Sequence, residues 1–256
     1  MLIYPIFTVI LGLLIGSFLN VCIFRIPKEQ SISYPPSHCM KCGNRIKPYD
    51  LIPVVSYIFL KGKCRYCGEK ISMRYPLVEL TTGLLYLAVY INYGLTLNFI
   101  KYIVLISILI VIGMIDFDTT DVYSSTTKTG IIFAIIFIII DYLLTYNFQA
   151  AIVNYILGGV LGGGLIFLII LATRGKGMGE GDAEICLLCG LFLGLKMTGV
   201  MLMLSFILGG VIGIILLITK KKSRKDYIPF GPFIALGCIL TIFFGQGILN
   251  WYLAML

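Results

Sequence analysis

Two aspartates stand where apolar runs end or begin, and their positions suit acid–base chemistry. Asp116 directly follows an apolar run that ends at Ile115, and Asp182 closes the glycine-rich segment 175–182 just before another apolar run. A charged side chain at the centre of a membrane helix costs about 2.5–3.5 kcal/mol, so ionisable residues near such runs are functional candidates. Two carboxyl groups at one depth could activate water, one ionised to accept its proton and the other protonated to donate to a scissile carbonyl.

Plainer interpretations of the aspartates remain open at this point. Asp is a favoured N-cap residue, so Asp182 could simply cap the helix that follows it. Asp118 and Asp121 suit either a polar loop or the binding of a cation. Asp141 lies towards the far end of its apolar run and has no assigned role. The residues alone therefore leave both catalysis and helix capping open for Asp182.

Four cysteines form two Cys-x-x-Cys pairs separated by 21 residues in a polar stretch: Cys39, Cys42, Cys64 and Cys67. Four thiolates in two short pairs suit tetrahedral zinc at about 2.3 Å, and a site filled by four protein ligands is structural rather than hydrolytic. Two disulfides or a redox switch are the alternatives, but a reducing compartment disfavours disulfides. Zinc would also supply folding energy to a stretch of about 50 residues with few apolar runs.

The other cysteines and the only histidine are less informative. His38 adjoins the first pair, but a site with four thiolates needs no fifth ligand. Cys186 and Cys189 repeat the pair spacing inside an apolar run, without a second pair. We expect these two cysteines to be small core residues.

Membrane helices are the elements that must position these residues. Hydrophobic residues make up 59% of the 256 residues and the mean hydropathy is +1.00, whereas soluble domains contain about 45–50% apolar residues. A span needs about 20 apolar residues. Eight runs are candidates: residues 4–24, 76–93, 99–115, 129–146, 152–173, 183–195, 199–219 and 230–256. The run 183–195 is short, and we expect a tilted or partly interfacial helix there.

Basic residues lie on one side of this pattern. Ten of the 20 lysines and arginines lie between Arg25 and Arg74. Eight more lie in alternate loops: Lys128, Arg174, Lys176, Lys220, Lys221, Lys222, Arg224 and Lys225. The positive-inside rule places these loops in the cytoplasm and both termini outside, so the net charge of +8 indicates a membrane topology and no nucleic-acid partner. The amino terminus lacks a signal-peptide pattern, so the first span is expected to remain as an anchor.

The sequence therefore predicts an all-α polytopic membrane protein in contact with membrane lipid, with about eight transmembrane helices and a small zinc-binding cytoplasmic insertion. We expect a first transmembrane helix over residues 1–24, the insertion over 25–75, and a transmembrane domain over 76–256 that holds both aspartates.

From the first span to about Gly194, the chain resembles the type IV prepilin peptidases, which are leader peptidases and N-methyltransferases. Residues 16–27, GSFLNVCIFRIP, are similar to the amino-terminal signature of that family. The two cysteine pairs follow, with DLIP at 50–53 resembling the Asp-Asn-Ile-Pro segment of the family. Residues 71–83, ISMRYPLVELTTG, are close to a further family pattern.

The resemblance implies a membrane aspartic peptidase in the bacterial cytoplasmic membrane, with its active site facing the cytoplasm. The catalytic pair would be Asp116, in an Ile-Asp context, and Asp182, in the Gly-x-Gly-Asp motif that the family shares with presenilin. The substrates would be prepilins or pseudopilins, cut after the glycine that ends a short basic leader. The new amino group would then be methylated from S-adenosylmethionine. No methyl-donor site is assigned; the resemblance points to the insertion, with Glu79 at its boundary as one candidate contact.

Two departures from the family pattern lie near the aspartates. The family usually has lysine two residues after the second aspartate, where this chain has Glu184. Pro-Asp or Pro-Asn usually follows the first aspartate, whereas residues 119–124 read TTDVYS. Neither change removes a catalytic carboxylate, and Glu184 is expected to alter the pH profile.

Two rival functions remain. One is a transporter or channel with a zinc-stabilised loop, in which Asp116 and Asp182 bind cations or protons. The other is a pilin assembly factor without catalytic activity. Transporters often contain inverted repeats, and the sequence shows none.

Overall fold

The protein is described by a computed structural model that covers residues 3–175, 177–220 and 228–255. Among these residues there are nine α-helices and no strand longer than an isolated bridge, which confirms the all-α class. The helices are α1 (Ile3–Arg25), α2 (Val55–Phe59), α3 (Arg74–Tyr93), α4 (Leu97–Thr119), α5 (Ser124–Thr145), α6 (Asn154–Thr173), α7 (Glu180–Leu193), α8 (Leu195–Ile218) and α9 (Gly231–Leu253).

A helix lies at each of the eight places where an apolar run predicts one. Six of these helices, α1, α4, α5, α6, α8 and α9, are long and apolar enough to cross a membrane. Helix α3 has 20 residues but is less apolar, and α7 has only 14 residues. At 1.5 Å per residue α7 is about 21 Å long, against about 30 Å of hydrocarbon in a bilayer. Some of the basic residues that predict the topology lie outside the described residues: Lys176, Lys221, Lys222, Arg224 and Lys225.

The chain forms two compact units, Met1–Ile103 and Val104–Leu256. The cysteine-containing insertion belongs to the first unit, and both aspartates belong to the second. The division into residues 1–24, 25–75 and 76–256 stays a prediction.

Helices α1 and α3 of the first unit pack closely through small residues. A Cβ added to Gly12 would lie 2.7 Å from Cα of Gly83, and one added to Gly16 would lie 2.7 Å from Cα of Glu79. Small residues at such contacts let two membrane helices approach closely. Asn20 of α1 adds a hydrogen bond to the carbonyl of Tyr75 at 3.1 Å. The start of α3, which follows the insertion, is thereby fixed against α1.

The second unit is built around the short helix α7, which contacts α5, α6, α8 and α9. Four of its side chains are completely buried: Ile185, Cys186, Leu188 and Cys189. The two cysteines are core residues, as their apolar surroundings predict. Because the helix is enclosed in this way, the position of its first turn is set by several neighbours at once.

Glycines allow α6 to approach α7. A Cβ added to Gly158 of α6 would lie 2.5 Å from the carbonyl oxygen of Gly190 and 2.7 Å from the carbonyl carbon of Gly194. Gly194 ends α7 with φ of +77°, a conformation that favours glycine. The side-chain oxygen of Asn154, at the start of α6, accepts a hydrogen bond from the amide of Leu195 at 3.1 Å. The end of α7 opposite Asp182 is therefore fixed by α6.

Replacing Gly158 with alanine should destabilise this contact. The added Cβ meets backbone atoms that cannot rotate away, and overpacking of this kind costs about 1–3 kcal/mol. We expect Gly158→Ala to lower the thermal unfolding temperature of the detergent-solubilised protein by several degrees. The matched control is Gly164→Ala in the same helix, where an added Cβ has open space and alanine is the better helix former. Equal melting temperatures for the two variants would contradict the proposed contact.

Candidate active site and metal centre

Asp116 lies in the last turn of α4, and its side chain is buried, with 2% exposure. Gly231, the first residue of α9, donates its amide to Oδ2 of Asp116 at 2.9 Å. The first amides of a helix have no partner within the helix, and the helix dipole there favours negative charge. A Cβ added to Gly231 would lie 2.5 Å from the same oxygen. Glycine is therefore the residue that lets the α9 backbone reach this carboxylate.

Asp182 lies in the first turn of α7, with 3% exposure. Its Oδ2 accepts the amide of Gly179 at 3.0 Å, and Gly179 is the residue that precedes the helix. Asp182 does take part in capping, but from the third helical position rather than as the N-cap residue. This bond occupies one oxygen of the carboxylate, so capping and catalysis are compatible.

Asp116 and Asp182 come together where the end of α4 meets the starts of α7 and α9. Ile185, one turn after Asp182, contributes to the same junction. A Cβ added to Gly231 would lie 3.2 Å from Cδ1 of Ile185 and 3.1 Å from Cγ of Asp116. The two aspartates are also close enough for their charges to interact. The structure thus places the two carboxylates predicted from the sequence in one buried location.

The hydrogen bonds of the two carboxylates are alike. In each, Oδ2 accepts one backbone amide, and Oδ1 has no hydrogen bond to the described residues. An ionised carboxylate can accept at both oxygens, and a protonated one can donate from one of them. The amides therefore fix the orientation of both groups and leave an oxygen on each for water or a substrate carbonyl.

The loop between α4 and α5 packs against the Gly-x-Gly-Asp motif. A Cβ added to Gly181 would lie 2.5 Å from Cβ of Val122, so a larger residue would displace this loop. Asp121 is exposed, and its charge interacts with that of Asp116. Asp118 is also exposed. Neither belongs to a group of potential metal ligands among the described residues, so a cation-binding role has no support from their placement.

The four predicted cysteine ligands converge in the first unit. Their sulfur atoms all lie within 4.8 Å of one another, and the sulfurs of Cys39 and Cys67 are 3.8 Å apart. Four sulfurs at about 2.3 Å from a tetrahedral zinc would be separated by about 3.8 Å. All four cysteines are free thiols rather than disulfides. The cluster could therefore bind a metal ion.

Both cysteine pairs are held by the same turn. Gly43 donates its amide to the carbonyl of Cys39 at 2.9 Å, and Gly68 donates to that of Cys64 at 3.0 Å. The two glycines have φ of +69° and +71°, which glycine adopts readily. His38 binds the carbonyl of Pro36 at 3.0 Å and is not part of the cluster.

The electrostatics of the cluster favour a thiolate. Hydrogen bonds from the backbone of Cys42 and then of Lys41 lower the pKa of Cys39 to about 6. An amide hydrogen bond at Glu69 favours the thiolate of Cys67, but desolvation and the neighbouring thiols raise its pKa to about 11. Metal binding requires deprotonated thiols, so a divalent cation would release the remaining protons.

The surrounding insertion is cross-linked by ion pairs. Arg65, between the second pair of cysteines, makes a bidentate contact with Asp50 at 2.8 and 2.6 Å. This contact lowers the pKa of the Asp50 carboxyl. Lys41 and Glu69 form a second ion pair that joins the two cysteine turns. The insertion thus carries its own polar framework around the thiols.

Glu79 connects the insertion to α3. Its buried carboxylate accepts the amide of Val54 at 2.7 Å and a hydrogen bond from Ser17 of α1. Val54 has φ of +61° and ψ of −50°, an unfavourable conformation for a β-branched residue. Glu79 therefore holds a strained turn of the insertion. Contact of this residue with a methyl donor stays a prediction.

Gly231 is the site residue that sequence reasoning missed. It lies in the sequence Phe230-Gly231-Pro232, at the start of the last apolar run and close after a basic loop. Proline in the first turn of a helix marks a helix start, where free amides attract carboxylates. That signal indicates an anion-binding end, but it does not say which carboxylate binds there.

Models of two protein families match consecutive parts of the chain. The Bacterial Peptidase A24 N-terminal domain matches residues 10–93, and the Type IV leader peptidase family matches residues 103–214. These matches cover the insertion and both aspartates.

Three relatives are each named prepilin leader peptidase/N-methyltransferase. The protein of Bacillus subtilis (strain 168) is 32% identical over 96% of this chain and 96% of its own length. That of Neisseria gonorrhoeae is 33% identical over 87% of this chain and 84% of its own length. That of Pseudomonas aeruginosa is 30% identical over 96% of this chain and 92% of its own length. No solved structure matches the chain.

Proposed function

The chain belongs to the type IV leader peptidase family, and from this membership we propose that it cleaves the basic leader of prepilins or pseudopilins. The proposed catalytic residues are Asp116 and Asp182. One observation carries the proposal: the two aspartates share a buried site at the junction of α4, α7 and α9, with one oxygen of each held by an amide. The relatives support a peptidase over a transporter, a channel or a non-catalytic assembly factor.

The chemistry follows from two neighbouring carboxyl groups that share one proton. The ionised carboxylate accepts a proton from water as the oxygen of that water bonds to the scissile carbonyl carbon. The protonated carboxyl donates to the carbonyl oxygen, which gives a neutral tetrahedral intermediate. Collapse of the intermediate breaks the C–N bond: one carboxyl donates its proton to the leaving nitrogen, and the other carboxylate takes a proton from a hydroxyl of the intermediate, which restores the shared proton. The two aspartates act together throughout, so their titration belongs to the pair.

The amides of Gly179 and Gly231 orient this pair. Each amide holds one oxygen, so the remaining oxygens keep a fixed geometry towards water and substrate. Positioning of reacting groups is a large part of catalysis, and a displacement of about 1 Å can cost a hundredfold in rate. The glycines also remove side chains where the backbone of a leader peptide must approach.

We place this site at the cytoplasmic face of a bacterial membrane. The positions of the basic loops support that orientation through the positive-inside rule, and six helices that are able to span a bilayer support a multi-pass protein. A prepilin leader is basic by family resemblance, so it would remain on the cytoplasmic side until it is cut.

The four cysteines are proposed to bind one structural zinc ion. The sulfur separations suit tetrahedral coordination, and zinc prefers four thiolates in sites of this kind. The ion would hold the two cysteine turns together and would take no part in hydrolysis, because all four ligand positions are filled by protein.

A second activity, methylation of the new amino terminus, is proposed from the names of the relatives. S-adenosylmethionine is the expected methyl donor by family resemblance. No residue of this chain is assigned to it. Mass spectrometry of the mature pilin amino terminus after processing in cells tests this activity, and an unmethylated product would leave a peptidase only.

Asp116→Asn and Asp182→Asn should each abolish cleavage, although asparagine keeps the shape of the aspartate side chain. Removing a positioned acid or base lowers rates by about 10²–10⁴-fold, so processing of a co-expressed prepilin should fall by at least that amount. Asp141→Asn is the matched control, because Asp141 lies in α5 and has no proposed role. Wild-type rates in either of the two variants would refute the aspartic peptidase mechanism.

Gly231→Ala should impair cleavage although it leaves both aspartates in place. The new Cβ would collide with the Asp116 carboxylate, and we expect kcat to fall by about tenfold or more. Gly247→Ala in the same helix has open space and should keep the wild-type rate. Similar kcat values for these two variants would contradict the close approach of the α9 backbone to Asp116.

The purified protein should contain about one zinc per chain, and Cys64→Ser should lose it. Without the ion the insertion should be cut faster by a protease, since a metal supplies folding free energy. His38→Ala, beside the cluster but outside it, should retain zinc. Less than about half an equivalent in wild-type protein with reduced cysteines would rule out the four-thiolate site.

A further inference from the structure

The two departures from the family pattern near the aspartates meet in the structure. Glu184, which occupies the place of the usual lysine, accepts a hydrogen bond from the hydroxyl of Ser124 at 3.1 Å. Its other oxygen accepts the hydroxyl of Thr127 at 2.5 Å. We propose that Glu184 is a positioning residue, which locks the start of α5 to α7 through Ser124 and Thr127 and thereby sets Asp182 relative to Asp116.

The local structure of α5 explains why a carboxylate binds there. Tyr123 precedes the helix and provides no side-chain cap, and no acidic residue lies in its first turn. The first turn of a helix carries unpaired amides and a partial positive charge. Glu184 supplies the missing negative charge from a neighbouring helix. The fully buried hydroxyl of Thr127 holds that carboxylate close to the turn.

Glu184 is the polar end of a continuous contact between α5 and α7. Leu188 lies one turn further along α7 and packs against Gly130, where an added Cβ would lie 2.8 Å from Cδ1 of the leucine. Phe192 lies another turn on, with its ring centroid 6.0 Å from that of Phe137. Residues four apart lie on one face of a helix, so Glu184, Leu188 and Phe192 form a single stripe facing α5.

Asp182 lies on a different side of α7 from this stripe. Successive residues of an α-helix are about 100° apart, so Asp182 and Glu184 are separated by about 160° around the axis. Ile185, which contacts the Asp116 site, lies one turn from Asp182. One side of α7 therefore carries the candidate catalytic carboxylate, and the opposite side anchors the helix to α5. This arrangement makes Glu184 a positioning residue and not a catalytic one.

The contact between Glu184 and the start of α5 completes a continuous set of contacts that joins the two aspartates. Asp116 lies in the last turn of α4, and a short segment leads from there through Val122 to Ser124 at the start of α5. Val122 packs against Gly181, directly before Asp182. The Glu184 bonds hold the far end of this segment against α7. If they are lost, the segment and the first turn of α7 can separate, which changes the geometry of the two carboxylates.

The test rests on the proposed peptidase function and uses purified full-length protein in detergent with a prepilin substrate. Glu184→Ala should lower kcat by about tenfold to a hundredfold, with KM changed less than about threefold because no substrate contact is removed. Glu184→Gln should recover most of the rate, since its amide can still bond to both hydroxyls. Rates are compared per folded protein, measured by size-exclusion chromatography.

Matched hydroxyl variants separate positioning from a general effect on α5. Thr127→Val removes one bond to Glu184 and should lower kcat. Thr129→Val is the control, because Thr129 is exposed and, among the residues that the structure describes, its hydroxyl binds only the carbonyl of Ser125. Equal kcat values for Thr127→Val and Thr129→Val would overturn the proposal.

A charge-swap variant tests the pair directly. Ser124→Asp places a second carboxylate against Glu184 and should lower kcat through like-charge repulsion. Adding Glu184→Lys creates an opposite-charge pair and should restore the rate. A double variant no faster than Ser124→Asp alone would overturn the proposal, as would a wild-type kcat in Glu184→Ala.

Failure of the proposed function and failure of the positioning role are distinguished by different variants. If wild-type enzyme cleaves no prepilin, or Asp182→Asn cleaves at the wild-type rate, the peptidase assignment fails and the inference falls with it. If wild type cleaves and Asp182→Asn does not, a wild-type rate in Glu184→Ala rejects the positioning role alone.

Discussion

The arrangement of the second unit depends on the burial of two carboxylates among apolar helices. A buried charge is costly unless hydrogen bonds satisfy it, and here the donors are backbone amides at helix starts. Gly231, at the start of α9, donates to Asp116 of α4, whereas Gly179 donates to Asp182 within the first turn of the same helix, α7. Helix starts are the parts of a helix with amides to spare. The positions of α4 and α9 are therefore coupled by the need to satisfy Asp116, whereas Asp182 is satisfied at the start of its own helix.

The short length of α7 also affects how the candidate site is positioned. A helix of 14 residues reaches only part of the way across a bilayer, and Glu180 is the only one of its residues that is exposed. Its depth is set instead by protein contacts: glycines of α6 at one end and α5 at the other. The enclosed α7 cannot shift along its axis without breaking contacts with several neighbouring helices.

Much of the candidate site could be predicted because its residue types are rare in this chain. Asp116 and Asp182 stand out in a sequence with only 12 acidic residues, and the spacing of Cys39, Cys42, Cys64 and Cys67 carries its chemistry in the sequence itself. The helices follow from apolar runs of sufficient length. In each case a local sequence pattern is enough to make the prediction.

The missed features depend on contacts between distant segments. Gly231 acts through its amide, which every residue but proline has, and only the approach to Asp116 gives it a role. The contacts of Glu184 cannot be predicted from local spacing, because its partners, Ser124 and Thr127, lie on another helix. Asp182 allowed capping and catalysis as alternatives, whereas one carboxylate has oxygens for both. Sequence spacing specifies the faces and the ends of helices, but it does not specify which neighbouring helix each face or end contacts.

The central claim is that Asp116 and Asp182 work as one unit, and a double variant measures this most directly. If both carboxyl groups are needed for the same proton transfers, removing the second after the first costs little more. Asp116→Asn with Asp182→Asn should then cleave prepilin about as slowly as either single variant. A double variant slower by the product of the two single effects would contradict this account, because independent contributions to catalysis multiply.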